Sequence, residues 1–309
     1  MIAASAPANL RELIEATLSL TCPDGEVPVI EQLCFAARWA VVELSDGRAG
    51  RAFTFNGQHA VYGALDFEHM RSMKRLLGMR ADRAIAQLFR EGASAAEAAN
   101  NQGASAQASL ARSVALAIAN ALSCELNAPT ELEERGFNVS APTDRSFLHP
   151  ENAVVLIGAG MILQESAATC ASVDVVDMRP RATLQSLLLN AHGERYGPGQ
   201  VRFHGVEDTT DLVARADVVG ITGCALENDS LFDIARLPRK AREFVIFGPS
   251  AQVPMELLAA LGATRIVTSR IVDAKSLIDG MLANFDAAGP RSATEGYVVT
   301  MYTSASPSA

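Results

Sequence analysis

The chain has 309 residues, 49% of them apolar and 20% charged, with a formal net charge of −9 at pH 7 and a pI near 5.1. That length suits two domains with a sizeable core. The acidic balance supplies no basic face for a nucleic-acid backbone, and no apolar run reaches the length of a membrane span. The opening Met-Ile-Ala-Ala-Ser-Ala-Pro has neither the basic nor the apolar region of a signal peptide. Cys22, Cys34, Cys124, Cys170 and Cys224 are dispersed, with no C-x-x-C pair. An odd, scattered set suits reduced thiols, so a cytoplasmic location is expected. His59, His69, His149, His192 and His204 are equally dispersed and signal no zinc site.

In chain order, Leu10, Leu13, Ile14, Thr17 and Leu18 predict an amphipathic helix over residues 7–20, stopped at Cys22-Pro23-Asp24-Gly25. Residues 29–44 are rich in β-formers, Ser45-Asp46-Gly47-Arg48 turns the chain and residues 52–55 return, which predicts a hairpin. Asn56-Gly57 marks a further turn. Helices are expected over 66–78, ended by Gly78, and over 82–90. Residues 91–107, mostly Ala, Ser, Asn and Gly, read as a loop or a weak helix broken at Gly103. Residues 106–125 predict a helix that is apolar nearly all round, hence packed on more than one side. Asn120 lies within it, and a buried amide must find partners in neighbouring backbone or in a ligand. Residues 129–150, with several prolines and many charges, read as a linker with a short helix at 131–135. The expected domains are 1–128 and 151–309.

The second half alternates strand and helix. Strands are expected at 153–157, 172–177, 201–203, 217–223, 243–247, 265–268 and 297–302, with helices over 161–171, 210–215, 231–235, 254–261 and 274–285. Such alternation predicts an open, mostly parallel sheet with helices on both faces. The loop at 192–199 is expected to be surface-exposed, with His192 and His204 solvated, and the tail from Thr303 to fray.

Ligands of such sheets sit beyond the carboxyl ends of the strands. Those ends offer Gly158 and Gly160, Asp177 and Arg179, Thr222, Gly223, Cys224 and Asn228, then Gly248 and Ser250. Gly158-Ala159-Gly160 after a buried strand suits a tight turn near an anion. Asp177 follows Gly158 by 19 positions, close to the spacing of a ribose-binding acid, although the third glycine of the dinucleotide motif is missing. Asn228 or Asp229 suits a helix N-cap. Cys224 reads as a core thiol ahead of a reactive one.

Several of these stretches resemble one family. Asp217 to Leu231 is similar to a conserved run of the heavy-metal-chelation domain family, Phe247-Gly248-Pro249-Ser250 to its Gly-Pro-Ser turn, and Arg270 to Asp273 to a strand end. Val155 to Gly158 matches its first strand, and Ser113 to Ser123 its Asn-containing helix, with Asn120 at the Asn. Ala159-Gly160-Met161 stands where that family often has an aromatic-Pro pair. The resemblance implies a smaller N-terminal α+β domain, enolase-N-terminal-like, joined to a C-terminal Rossmann-like α/β domain. It also implies a cleft between the domains that binds a small polar ligand, a heavy metal or a metal-chelating metabolite. Asn120, Thr222, Asn228 and Ser250 would orient the ligand; Gly158, Gly160, Gly223 and Gly248 would let backbone approach. Asp177 and Arg179 are the cofactor candidates. Two rivals stand beside this reading. One is a nucleotide- or S-adenosylmethionine-dependent enzyme that makes a chelating metabolite. The other is a non-catalytic scaffold. The expected partners are a small molecule or metal, without nucleic acid or membrane, and a homodimer is left open.

Overall fold

The computed structural model describes residues 5–36, 38–55, 61, 67–98, 103–191, 193–197, 199–283 and 289–301, and the backbone alone over 94–98 and 103–105. The first half opens with α1 (Leu10–Thr21), whose start is capped by the Asn9 side chain accepting from the Glu12 N–H. A three-stranded antiparallel sheet follows, formed by β1 (Ile30–Phe35), β2 (Trp39–Leu44) and β3 (Ala49–Phe53). The β-rich run over 29–44 is thus two strands, and Ala36 N–H just past β1 donates to Trp39 O at the start of β2. Next come α2 (Phe67–Ser72), a 3₁₀ turn, α3 (Ala81–Ala98) and α4 (Gly103–Leu122). The stretch expected to be a loop or weak helix continues α3 to Ala98, as its Ala and Glu content allows. The expected Asn56-Gly57 turn, His59, Asp66, the residues between α3 and α4, His192, the end of the 274–285 helix and the tail lie outside the described residues.

The second half is the expected Rossmann-like unit. Between α5 (Pro129–Glu134) and the main strands lies β4 (Asn138–Ser140). Then follow β5 (Ala153–Ile157), α6 (Leu163–Thr169), β6 (Ser172–Val176), β7 (Ser186–Asn190), β8 (Gly193–Gly197), β9 (Val201–His204), α7 (Thr209–Arg215) and β10 (Val218–Thr222). α8 (Ser230–Ala235), β11 (Glu243–Phe247), α9 (Met255–Ala260), β12 (Arg265–Ile271), α10 (Ala274–Ala283) and β13 (Thr294–Thr300) complete it. The eight-stranded sheet runs β4-β13-β12-β11-β10-β5-β6-β9. Six strands are parallel; β13 and β4 add antiparallel pairs at one edge. Strand order reverses between β5 and β10, the place where such sheets open a crevice. No helix among the described residues is long and apolar enough to cross a membrane.

Two differences from the sequence reading have simple causes. β4, in the stretch read as a linker, is three residues long and carries no periodic signal of its own; pairing with β13 makes it a strand. Within the stretch read as a loop over 192–199, residues 193–197 form β8 of the β7/β8 hairpin, whose Leu187, Leu188 and Leu189 break the alternation expected of a half-buried strand.

α4 joins the two halves. Leu110, Val114, the Ala115 to Ala119 run, Ala121 and Leu122 are all buried in a core that also holds Leu13, Val42, Ile221, Leu226 and Ile246. β3 crosses α4 at Gly50, where a Cβ would stand 2.1 Å from Ala121 N and 2.4 Å from Ala117 O. Only glycine lets the strand lie that close to the helix backbone.

Candidate functional site

At the crevice, Gly158 takes φ +89° and its N–H donates to Val176 O at 2.8 Å, turning the chain sharply off β5. A Cβ there would stand 2.8 Å from Thr222 Cγ2, and one on Gly160 2.4 Å from the Phe247 ring. Both glycines are therefore required by the protein's own packing. Asp177 is engaged as well. Its Oδ2 accepts from Ala159 N–H at 2.8 Å and Arg179 Nη2 at 2.6 Å, and its Oδ1 from Arg179 N–H and Nε, each at 2.9 Å. Burial works to raise the Asp177 pKa, but the Arg179 fork and these N–H groups outweigh it and hold it below the usual carboxylate range. Arg179 Nη2 also reaches Ala159 O at 3.1 Å. Asp177 and Arg179 thus lock the βα turn, and the N–H that would meet a phosphate already meets a carboxylate. The ribose role expected for Asp177 has no free carboxylate oxygen to rest on.

The β10 and β11 ends abut. A Cβ on Gly223 would lie 2.8 Å from Ala251 N, and Gly248 adopts φ +110°. Thr222 Oγ1 accepts weakly from Cys224 N–H at 3.4 Å. Cys224 is partly exposed yet hemmed in, and burial pushes its thiol up to about 11, so it is not a thiolate at neutral pH. Asn228 Oδ1 accepts from Ser230 N–H and Oγ, at 3.2 and 2.7 Å, and so prepares the start of α8. His204, expected to be solvated, instead places Nε2 2.7 Å from Asp174 Oδ1, beside an Arg202 fork on the same carboxylate.

Ser250 and Asn120 do converge. Asn120 Nδ2 donates to Ser250 O at 2.9 Å and to Arg51 O at 2.8 Å, while Ser250 Oγ accepts from Phe53 N–H at 3.1 Å. Asn127 repeats the motif, its Nδ2 donating to Gln252 O and Val253 O at 2.6 and 3.0 Å. Arg51 donates to Ser269 Oγ at 2.8 Å and lies over the Trp39 ring; burial pushes its pKa down to about 10. The hollow among Gly50, Arg51, Asn120, Gln252 and Arg270 measures about 10 Å³. That is room for about one water, which would serve the buried Asn120 Oδ1 that has no protein partner.

A larger hollow, about 430 Å³, lies further along the same seam. Asn9 and Arg11 of the α1 start, Leu88, Phe89, Gly92 and Ala93 of α3, Ala108 and Arg112 of α4, and Asp229 line it. Asp229 sits at φ +65° and bridges the halves: Oδ1 accepts from Leu10 N–H at 2.7 Å and Oδ2 from Arg112 Nη2 at 2.6 Å. Arg112 Nε also donates to Glu227 O. The Glu227 carboxyl is buried near Ser109 and Arg112, and desolvation pushes its pKa up to about 8. Arg11 stacks 5.0 Å over Phe89 and has no carboxylate partner among the described residues.

Two family models, both described as "Putative heavy-metal chelation", match residues 146–288 and 23–123, spanning most of the chain between them. The chain belongs to this heavy-metal-chelation family. Two crystal structures of proteins with unknown function from the DUF364 family share its fold. One, from Desulfitobacterium hafniense DCB-2, has a TM-score of 0.63 at 15% identity, covering 94% of this chain and 99% of that one. The other, from Pyrococcus horikoshii, has a TM-score of 0.62 at 15% identity, covering 94% and 100%. A search of curated proteins finds no match.

Among the described residues, no three His, Cys, Asp or Glu side chains form a group that could hold a metal. The sequence reading passed over Arg11, Arg112 and Glu227, and took Asp229 only as a helix N-cap candidate, not as the bridge to Leu10 and Arg112. Arg112 carried a signal, being the sole charge in α4. A lone guanidinium on an otherwise apolar helix must find an acceptor across a packed face.

Proposed function

We propose that the chain binds a small anionic chelate of a heavy metal in the 430 Å³ hollow between α1, α3, α4 and Asp229. The observation that carries this reading is Arg11, a guanidinium held over Phe89 at the hollow without a carboxylate of its own. The volume is that of a small-molecule site, and a wall of Leu88, Phe89, Ala93 and Ala108 with a few polar groups has the usual composition of one. Arg11 and Arg112 suit ligand carboxylates, since a guanidinium matches them with two parallel hydrogen bonds. The metal would arrive with donors supplied by the chelator, consistent with a wall that offers one carboxylate and no thiol or imidazole. Asn120, Ser250 and Asn127 would keep the two halves in register behind the site.

Calorimetry with citrate complexes of Fe(III), Ni(II) and Cu(II), against citrate alone and each metal alone, tests the reading. The complex is expected to bind more tightly than either component, and Arg11→Ala to weaken it by at least ~10-fold, about 1.4 kcal/mol. Equal binding of bare metal to wild type and Arg11→Ala would overturn it.

A further inference from the structure

Parallel neighbours such as β6 and β9 are ordinarily joined by a crossover helix. Here the connection holds a 3₁₀ turn at Arg181–Thr183 and the β7/β8 hairpin. Every residue of β7 is exposed, with Leu187, Leu188 and Leu189 at 51%, 46% and 63%. A two-stranded sheet is marginal in water by itself, and three consecutive leucines make both of its faces apolar. Among the described residues, the β7 edge facing away from β8 pairs with no other strand.

We propose that β7 pairs antiparallel with β7 of a second copy of this chain, about a two-fold axis through Leu188. The strand Ser186-Leu187-Leu188-Leu189-Asn190 is symmetric in character about its centre, so self-pairing sets leucine on leucine and Ser186 opposite Asn190. The existing register puts Tyr196 beside Leu187, Glu194 beside Leu189 and Arg195 beside Leu188. In the four-stranded sheet, one face then carries Leu187 and Leu189 of both copies, flanked by Tyr196 and Glu194. The other face pairs Leu188 with its copy, with Arg195 outermost on each side. An apolar centre with a charged rim is the usual anatomy of an interface. The β8 edge is the poorer choice. Its own two-fold would put Arg195 opposite Arg195, and like charges directly opposite are destabilising. Pairing β7 with β8 of the next copy would be head-to-tail and would not close. The β7 axis satisfies two edges at once and leaves no open one of apolar character.

Light scattering coupled to size exclusion, at micromolar concentration, decides the matter. The wild-type chain is expected to run as a dimer. Leu188→Asp places two carboxylates face to face on the axis and is expected to raise the dissociation constant at least ~100-fold, giving a monomer. Because Leu188 is exposed, the variant should keep the wild-type melting profile at low concentration, which separates lost pairing from lost folding. A wild-type monomer, or a dimer undiminished in Leu188→Asp, would overturn the proposal.

Discussion

The seam between the two halves has two stretches built on different chemistry. Around Asn120 and Asn127, neutral amides donate to backbone carbonyls of the facing loop, and what remains is about 10 Å³. Around Arg112 and Asp229, charged side chains bridge the halves at the edge of a 430 Å³ hollow. Amide-to-carbonyl pairs need close, dry approach and so pull backbones together. Long charged side chains reach across a gap and keep part of their hydration. One stretch fixes the relative placement of the halves, and the other leaves space beside groups with charge to spare.

The largest effect should come from overfilling the tight stretch. Gly50→Ala would press a methyl group into α4 backbone, which cannot yield as a flexible side chain does. A loss of about 3 kcal/mol by denaturant unfolding is expected. Asn120→Ala would leave the buried Arg51 and Ser250 carbonyls without their shared donor, costing about 2–3 kcal/mol. A cost under about 0.5 kcal/mol would show that the amide does not hold this stretch.

The charged stretch should respond to pH instead. Glu227 is ionised in the unfolded chain above about 4.5 but, buried, keeps its proton up to about 8. Its folded-state pKa is raised, so the stability it confers is fully present below pH 4.5 and is lost as pH rises through 8. Unfolding measured across that window should show this decline, and Glu227→Gln, which does not ionise, should flatten it by a kcal/mol or more. An unchanged slope would remove Glu227 as its source. The smallest structural effect belongs to Arg11→Ala, expected within about 0.5 kcal/mol of wild type because the side chain is exposed. That variant isolates the ligand-binding role from the seam's stability.

The contrast also explains what could be read in the sequence. The parallel strands were legible because both faces are buried, and runs such as 153–157 and 244–247 are continuous and apolar. Asn120 was legible as a buried amide, since polarity inside an apolar helix demands a partner. What it bonds to was not, because Arg51 and Ser250 are 69 and 130 positions away. The strand-end glycines were legible as close approaches, but a sequence does not say whether the approaching group is a ligand or, as here, Thr222, Phe247 and Ala251. The hollow at Arg112 was the least legible. Its walls come from α1, α3, α4 and the β10–α8 loop, and each contributes a few residues whose meeting is a property of the packing alone.

β4 bears on how the protein can be divided. It comes from the stretch between the halves, yet it is hydrogen-bonded to β13 as the outermost strand of the large sheet. A fragment begun at residue 151 would strip β13 of that neighbour and leave a bare hydrogen-bonding edge, an invitation to aggregate. Begun ahead of Pro129, the same fragment would carry its own edge cover and stand the better chance of remaining in solution.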